Sequence, residues 1–170
     1  MNFNEQKNRP RIKLVNTNFD NFLESLGWLL LVLLWVQVLF NFNELPDTIP
    51  THFNFKGEVD GYGSKWTLFF LPITASILYI GLTILNRFPH IFNYTVVITE
   101  ENARRQYTIG TKMIRALKLG VVVIFGLISI MTIDGAESNS FQIDPTIIPL
   151  ASLIILVPLI YYIYKSIKSK

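Results

Sequence analysis

The sequence predicts an all-α integral membrane protein: four transmembrane helices, an ordered extracytoplasmic loop after the first, and a cytoplasmic amphipathic helix leading into the third. Three observations carry this fold class. Of the 170 residues 51% are hydrophobic and only 16% are charged, whereas ordinary soluble domains carry about 25% charged residues. The apolar residues are gathered into four runs. The cations are gathered into the segments that flank alternate ends of those runs.

The runs have the right length. Ser25–Asn43, Trp66–Asn86 and Pro145–Tyr164 contain no charged residue over 19, 21 and 20 positions. A helix of about 20 residues crosses a hydrocarbon core about 30 Å thick. Leu119–Ile133 has 15 uncharged residues. It reaches the same length from residue 114 if Lys118 snorkels its ammonium to the headgroups. The spans are therefore expected at 25–43, 66–86, 114–133 and 145–164. Residues 1–24 form a cytoplasmic N-terminal segment, 44–65 an outer loop, 87–113 an inner loop and 165–170 a basic cytoplasmic tail. A cleaved signal peptide is a poor account of the first run, which exceeds a signal's apolar region and is followed by no small-x-small site.

Orientation follows from charge. Segments 1–24, 87–118 and 165–170 hold 13 of the 15 Lys and Arg residues, and seven of the 12 acids lie in the two other connections. Positive residues stay on the cytoplasmic side during insertion. Both termini are thus expected inside and the 44–65 loop outside. The sequence pI near 9.2 then sums a basic inner face and an acidic outer one, and gives no signal for nucleic acid. Trp28, Trp66 and the Tyr161, Tyr162, Tyr164 group beside Lys165 and Lys168 suit interfacial anchoring. Pro72, Pro149 and Pro158 lie inside runs and are candidates for helix kinks.

The outer loop is the most informative segment. Pro46 and Pro50 disfavour a helix. Thr51-His52-Phe53-Asn54-Phe55 alternates as an extended strand does, and Gly57, Asp60-Gly61 and Gly63 read as turns. The ligand-binding candidates are Pro46, Pro50, His52, Phe53, Asn54, Gly57 and Asp60. His52 admits three readings. It can hydrogen-bond within the turn. It can bind a metal with nearby acids, although one His and no Cys fall short of the three or four protein ligands zinc takes. It can sense pH, because an unperturbed imidazole titrates between pH 5 and 8. Asn54 is expected to hold a turn through its side chain, and Asp60 to be a solvated acid.

The pattern Leu45-Pro46-Asp47-x-Ile49-Pro50-x-His52-Phe53-Asn54-x-x-Gly57-x-x-Asp60-Gly61 resembles the signature of the domain of unknown function 1648 family. That domain is also found at the front of SdpI-type immunity proteins. In the family the loop follows the first membrane helix and the next helix carries a proline near its start, which Pro72 matches. Ile98-Thr99-Glu100-Glu101-Asn102-x-x-Arg105-Gln106-Tyr107 resembles a stretch of shorter bacterial members. The resemblance covers residues 40–118. It implies a bacterial inner-membrane protein. Its SdpI relatives confer resistance to a secreted toxic peptide and report it to a regulator; with four expected spans, the additional membrane region of those relatives is not expected here.

In the inner loop, Thr99 is a helix N-cap with Glu100 and Glu101 in the first turn. Ala103, Tyr107, Gly110, Ile114 and Leu117 share one face. Arg104, Arg105, Lys112 and Arg115 fall on the other, a basic face suited to anionic headgroups. His90 beside Pro89 reads as an exposed loop histidine. The sequence carries no nucleophile elbow, HExxH, phosphate-binding glycine loop or paired acids within a span, so no enzyme, cofactor or metal is expected. The expected partners are membrane lipid and an extracytoplasmic peptide or another membrane protein. The expected function is recognition, immunity-like or signalling, through the outer loop. The alternatives are an oligomeric small transporter or channel, or an accessory subunit of a membrane complex. The lack of an ionisable residue in the middle of any span weighs against an ion-coupled carrier.

Overall fold

The protein is described by a computed structural model over residues 9–138 and 143–169. Helix α1 runs Asn18–Asn41. Strands β1 (Thr48–Phe53) and β2 (Val59–Ser64) form an antiparallel hairpin. A 3-10 turn over Lys65–Phe69 leads into α2, Phe70–Leu85. A second 3-10 turn, Pro89–Ile91, precedes α3, Glu100–Glu137, and α4 follows over Ile147–Lys168. Four helical stretches are long and apolar enough to cross a membrane: Asn18–Asn41, Lys65–Leu85, Glu100–Glu137 and Pro149–Lys168. The fold is therefore mainly helical, and the expectation of an all-α chain is corrected by the hairpin.

Local chemistry sets the helix ends. Thr17 and Asp20 form a capping box: the Asp20 amide donates to Thr17 Oγ1 at 3.2 Å and the Thr17 amide to Asp20 Oδ2 at 2.8 Å. That cap starts α1 at residue 18, ahead of the charge-free run. Thr99 and Asn102 make the same reciprocal arrangement at the start of α3. Pro72 and Pro149 sit in the first turns of their helices, where an amide has no intrahelical partner, so neither breaks a helix bond. Pro158 alone lies in a helix interior.

The inner-loop helix and the third span are one helix of 38 residues, about 57 Å long. It is the hub of the bundle, with α1, α2 and α4 all packed on it. Helices consecutive in the chain run antiparallel. Tyr79 of α2 donates to the Glu24 carbonyl near the start of α1, and Gln106 near the start of α3 donates to the Ser166 and Ser169 carbonyls at the end of α4. The hairpin thus lies at one end of the bundle and the chain's basic segments at the other.

One core joins both parts. Leu31, Leu34 and Val38 of α1, Ala75 and Tyr79 of α2, and Val122 and Ile133 of α3 are buried with Leu45, Ile49 and Leu68 from the hairpin region. Gly27 lets α2 approach α1: a Cβ there would lie 2.4 Å from the Tyr79 hydroxyl oxygen. Outward, Leu29, Val32, Leu33 and Val36 of α1 and Leu153, Val157 and Ile160 of α4 are exposed. Apolar faces this extensive are abnormal in contact with water and normal in contact with lipid.

The apolar face of the first turns of α3 is not left for lipid. Ala103, Tyr107, Gly110 and Ile114 are buried. The strap formed by residues 9–16 and the loop after α2 help to cover them: the Tyr107 hydroxyl donates to the Pro10 carbonyl at 3.1 Å, and the Tyr94 and Tyr107 rings lie 5.6 Å apart. Arg9 is itself buried, donating to the Phe92 carbonyl at 2.7 Å. His90 is half-buried in this layer rather than exposed.

Candidate functional site

The hairpin is held rigidly from three directions. At its base, the Lys65 ammonium donates to the Leu45 carbonyl at 3.2 Å, lies 3.3 Å from the Asp47 carboxylate and sits over the Phe42 ring. On its inner face, Ile49 and Pro50 are buried against the bundle. At its tip, Asn54 Oδ1 accepts from the Lys56 and Glu58 amides, and its Nδ2 donates to Glu58 Oε2. Gly57 there has φ +80°, a left-handed conformation that favours glycine. Its carbonyl accepts from the Ile143 amide at 2.9 Å, which fastens the tip to the α3–α4 connection. A Cβ at Gly57 would lie 1.8 Å from the Ile143 carbonyl oxygen.

The predicted site residues therefore divide. Pro50 and Gly57 are structural, buried where the hairpin meets the bundle, and Asn54 holds the turn. Pro46 is exposed at the entry to the hairpin, and Phe53 is half-buried. His52 and Asp60 face outward together. The pairing register shifts on both sides of His52, which is paired with Gly61 while Phe53 is paired with Val59. This leaves Asp60 as the extra residue of a bulge. The bulge brings the Asp60 carboxylate onto His52 Nδ1. The imidazole thus bonds a carboxylate rather than turn carbonyls. Among the described residues no three His, Cys, Asp or Glu side chains converge as a metal set. Phe55, in the turn, is 97% exposed and Tyr62, on β2, 66% exposed.

A second cluster, at the basic end, escapes a reading from charge-free runs. Asp20 and Glu24 lie one turn apart on α1, and Arg115 and Lys118 one turn apart on α3. Arg115 donates to Glu24 Oε1 at 3.0 Å, to Asn16 Oδ1 at 2.6 Å and to Asp20 Oδ1 at 3.4 Å. Lys118 bonds the other Glu24 oxygen and Thr83 Oγ1, and its ammonium lies 4.6 Å from the Tyr79 ring centroid. Lys118 is 1% exposed. The expectation that it snorkels to the headgroups is therefore corrected: Glu24 provides a counter-charge inside the bundle, so the ammonium turns inward. The expected basic face of α3 also divides. Arg104 and Arg105 are exposed and Lys112 is half-buried, but Arg115 is drawn into the cluster. The legible signal is the Thr17-x-x-Asp20 capping box, which places Asp20 and Glu24 within a helix at i, i+4 spacing.

Residues 29–75 match the family described as Domain of unknown function (DUF1648). An uncharacterized protein of Archaeoglobus fulgidus is 29% identical over 124 residues, covering 66% of this chain and 68% of that protein. No solved structure is significantly similar. The family match runs from the second half of α1, through the hairpin and into α2.

Proposed function

We propose that this chain is a multi-pass protein of a bacterial cytoplasmic membrane, with both termini cytoplasmic, and that its outer hairpin recognises an extracytoplasmic peptide or another membrane protein. The observation that carries the reading is the contrast within the hairpin. Its inner face and tip are locked to the bundle, while His52, Asp60, Phe55 and Tyr62 are presented outward. Exposed aromatics on a rigid frame are the usual anchors of recognition surfaces. Among the described residues the sheet has two strands only, and a strand edge without a neighbour is where an extended peptide can add. The concentration of cations at the opposite end supports the orientation. An immunity-like or signalling role, as in the SdpI-type proteins the motif resembles, is the form of recognition this reading favours.

The test is genetic and local. A strain lacking the gene is complemented with the wild-type chain or with Phe55→Ala/His52→Ala, then challenged with peptides secreted by neighbouring strains. Wild type is expected to restore survival or the transcriptional response, and the variant to fail at an unchanged membrane level. Full complementation by the variant would remove the hairpin as the recognition element.

A further inference from the structure

We propose that the basic end of the bundle carries a binding site for the headgroup of an anionic, hydroxyl-bearing phospholipid such as phosphatidylglycerol. The site is a cleft of about 440 Å³ between the 9–16 strap, the start of α1, the end of α2 and α3. Three features of its lining point to that chemistry.

Lys13 and Arg87 are exposed on the lining and have no acidic partner among the described residues. Arg115, deeper in, is already matched by Asp20, Glu24 and Asn16. The cleft thus offers two uncompensated cations to a phosphate, with the acids behind them committed elsewhere. Asn86 also lines it, and its side-chain oxygen is buried without a hydrogen-bond partner. A buried acceptor left unpaired is costly. A headgroup hydroxyl supplies the donor it lacks, which a choline headgroup cannot do.

The third feature separates a lipid from a free phosphate compound. Ile77, Ile80 and Ile84 of α2 are exposed at spacings of three and four, and the exposed Arg87 and Phe88 follow in the turn just beyond the helix end. An acyl chain lying along that stripe ends at the cation on the cleft. Basic pockets between membrane helices are where anionic headgroups bind. The site rests on bilayer placement and not on the hairpin's role, so variants at this end leave the hairpin reading untouched.

The full-length chain in maltoside detergent is titrated calorimetrically with dioctanoyl phosphatidylglycerol, dioctanoyl phosphatidylcholine and glycerol phosphate. Phosphatidylglycerol is expected to bind saturably and the other two at least tenfold more weakly. Lys13→Gln/Arg87→Gln is expected to weaken phosphatidylglycerol binding about 25-fold, from roughly fivefold per cation. Asn86→Leu is expected to weaken it further, while Lys165→Gln/Lys168→Gln, at the same end but off the cleft, leaves it unchanged. Equal binding of phosphatidylcholine overturns the site. So does an equal loss in the Lys165/Lys168 variant, which would indicate diffuse charge. Glycerol phosphate binding as tightly as the lipid overturns the lipid assignment. Circular dichroism of each variant checks that the helices persist.

Discussion

Gly57 shows how much one residue position can decide. Its φ of +80° and the absence of room for a Cβ beside Ile143 act together. Gly57→Ala is expected to cost at least about 1–3 kcal/mol, read as a lower thermal midpoint in detergent, and to free the hairpin tip from the α3–α4 connection. At the other end, Glu24 holds two cations. Glu24→Ala leaves Lys118 buried without its counter-charge and is expected to cost about 3–5 kcal/mol. Glu24→Gln combined with Lys118→Met removes both charges and should recover most of the loss; a double variant no better than the single one would contradict the pairing. The sequence alone exposes the glycine, because Gly57 stands among turn residues. It hides the pairing of Glu24 with Lys118, which are 94 positions apart, since no local pattern states which helices will touch.

Among the elements, the hairpin and the loop after α2 behave differently. Strand character is expected from alternation at Thr51–Phe55, but the strand ends at Phe53, where Asn54 and Phe55 enter the turn, and its extent back to Thr48 and the bulge at Asp60 are not legible. They depend on Ile49 and Pro50 seeking the core of a bundle formed by distant segments. The fusion of the inner helix with the third span follows from a run without proline between Glu100 and Glu137. What is not legible is that the chain's own strap covers that helix. This strap has a pH signature. Burial, aided by Arg11 and then Arg9, holds the His90 imidazole below its ordinary value. The unfolded chain therefore binds the proton more readily. The stability is complete above the ordinary histidine value, falls as pH drops through about 6.5, and levels off below the folded-state value. His90→Gln should flatten that decline in a thermal-unfolding series from pH 8 to 5, while a decline of unchanged steepness would assign it to other groups.

For the whole molecule, composition and run length make the four membrane-length helices legible before any contact is known. Their limits are less so where a cap outside the apolar run, such as Thr17, sets the start of the helix; Thr99, at the start of α3, is legible as a cap. The chain has no cysteine, so its orientation can be read directly. Lys56→Cys, on the exposed hairpin tip, should react with a membrane-impermeant maleimide in intact cells. Arg104→Cys, exposed at the basic end, should react only after permeabilisation. The reverse pattern would invert the topology. Helix α3 adds a mechanical corollary. It packs against β1 near one extremity and against the Pro10 strap near the other. A stiff lever about 57 Å long that tilts by about 5° sweeps its far tip through about 5 Å, so a load applied to the hairpin need not be relayed side chain by side chain to be felt at the opposite face.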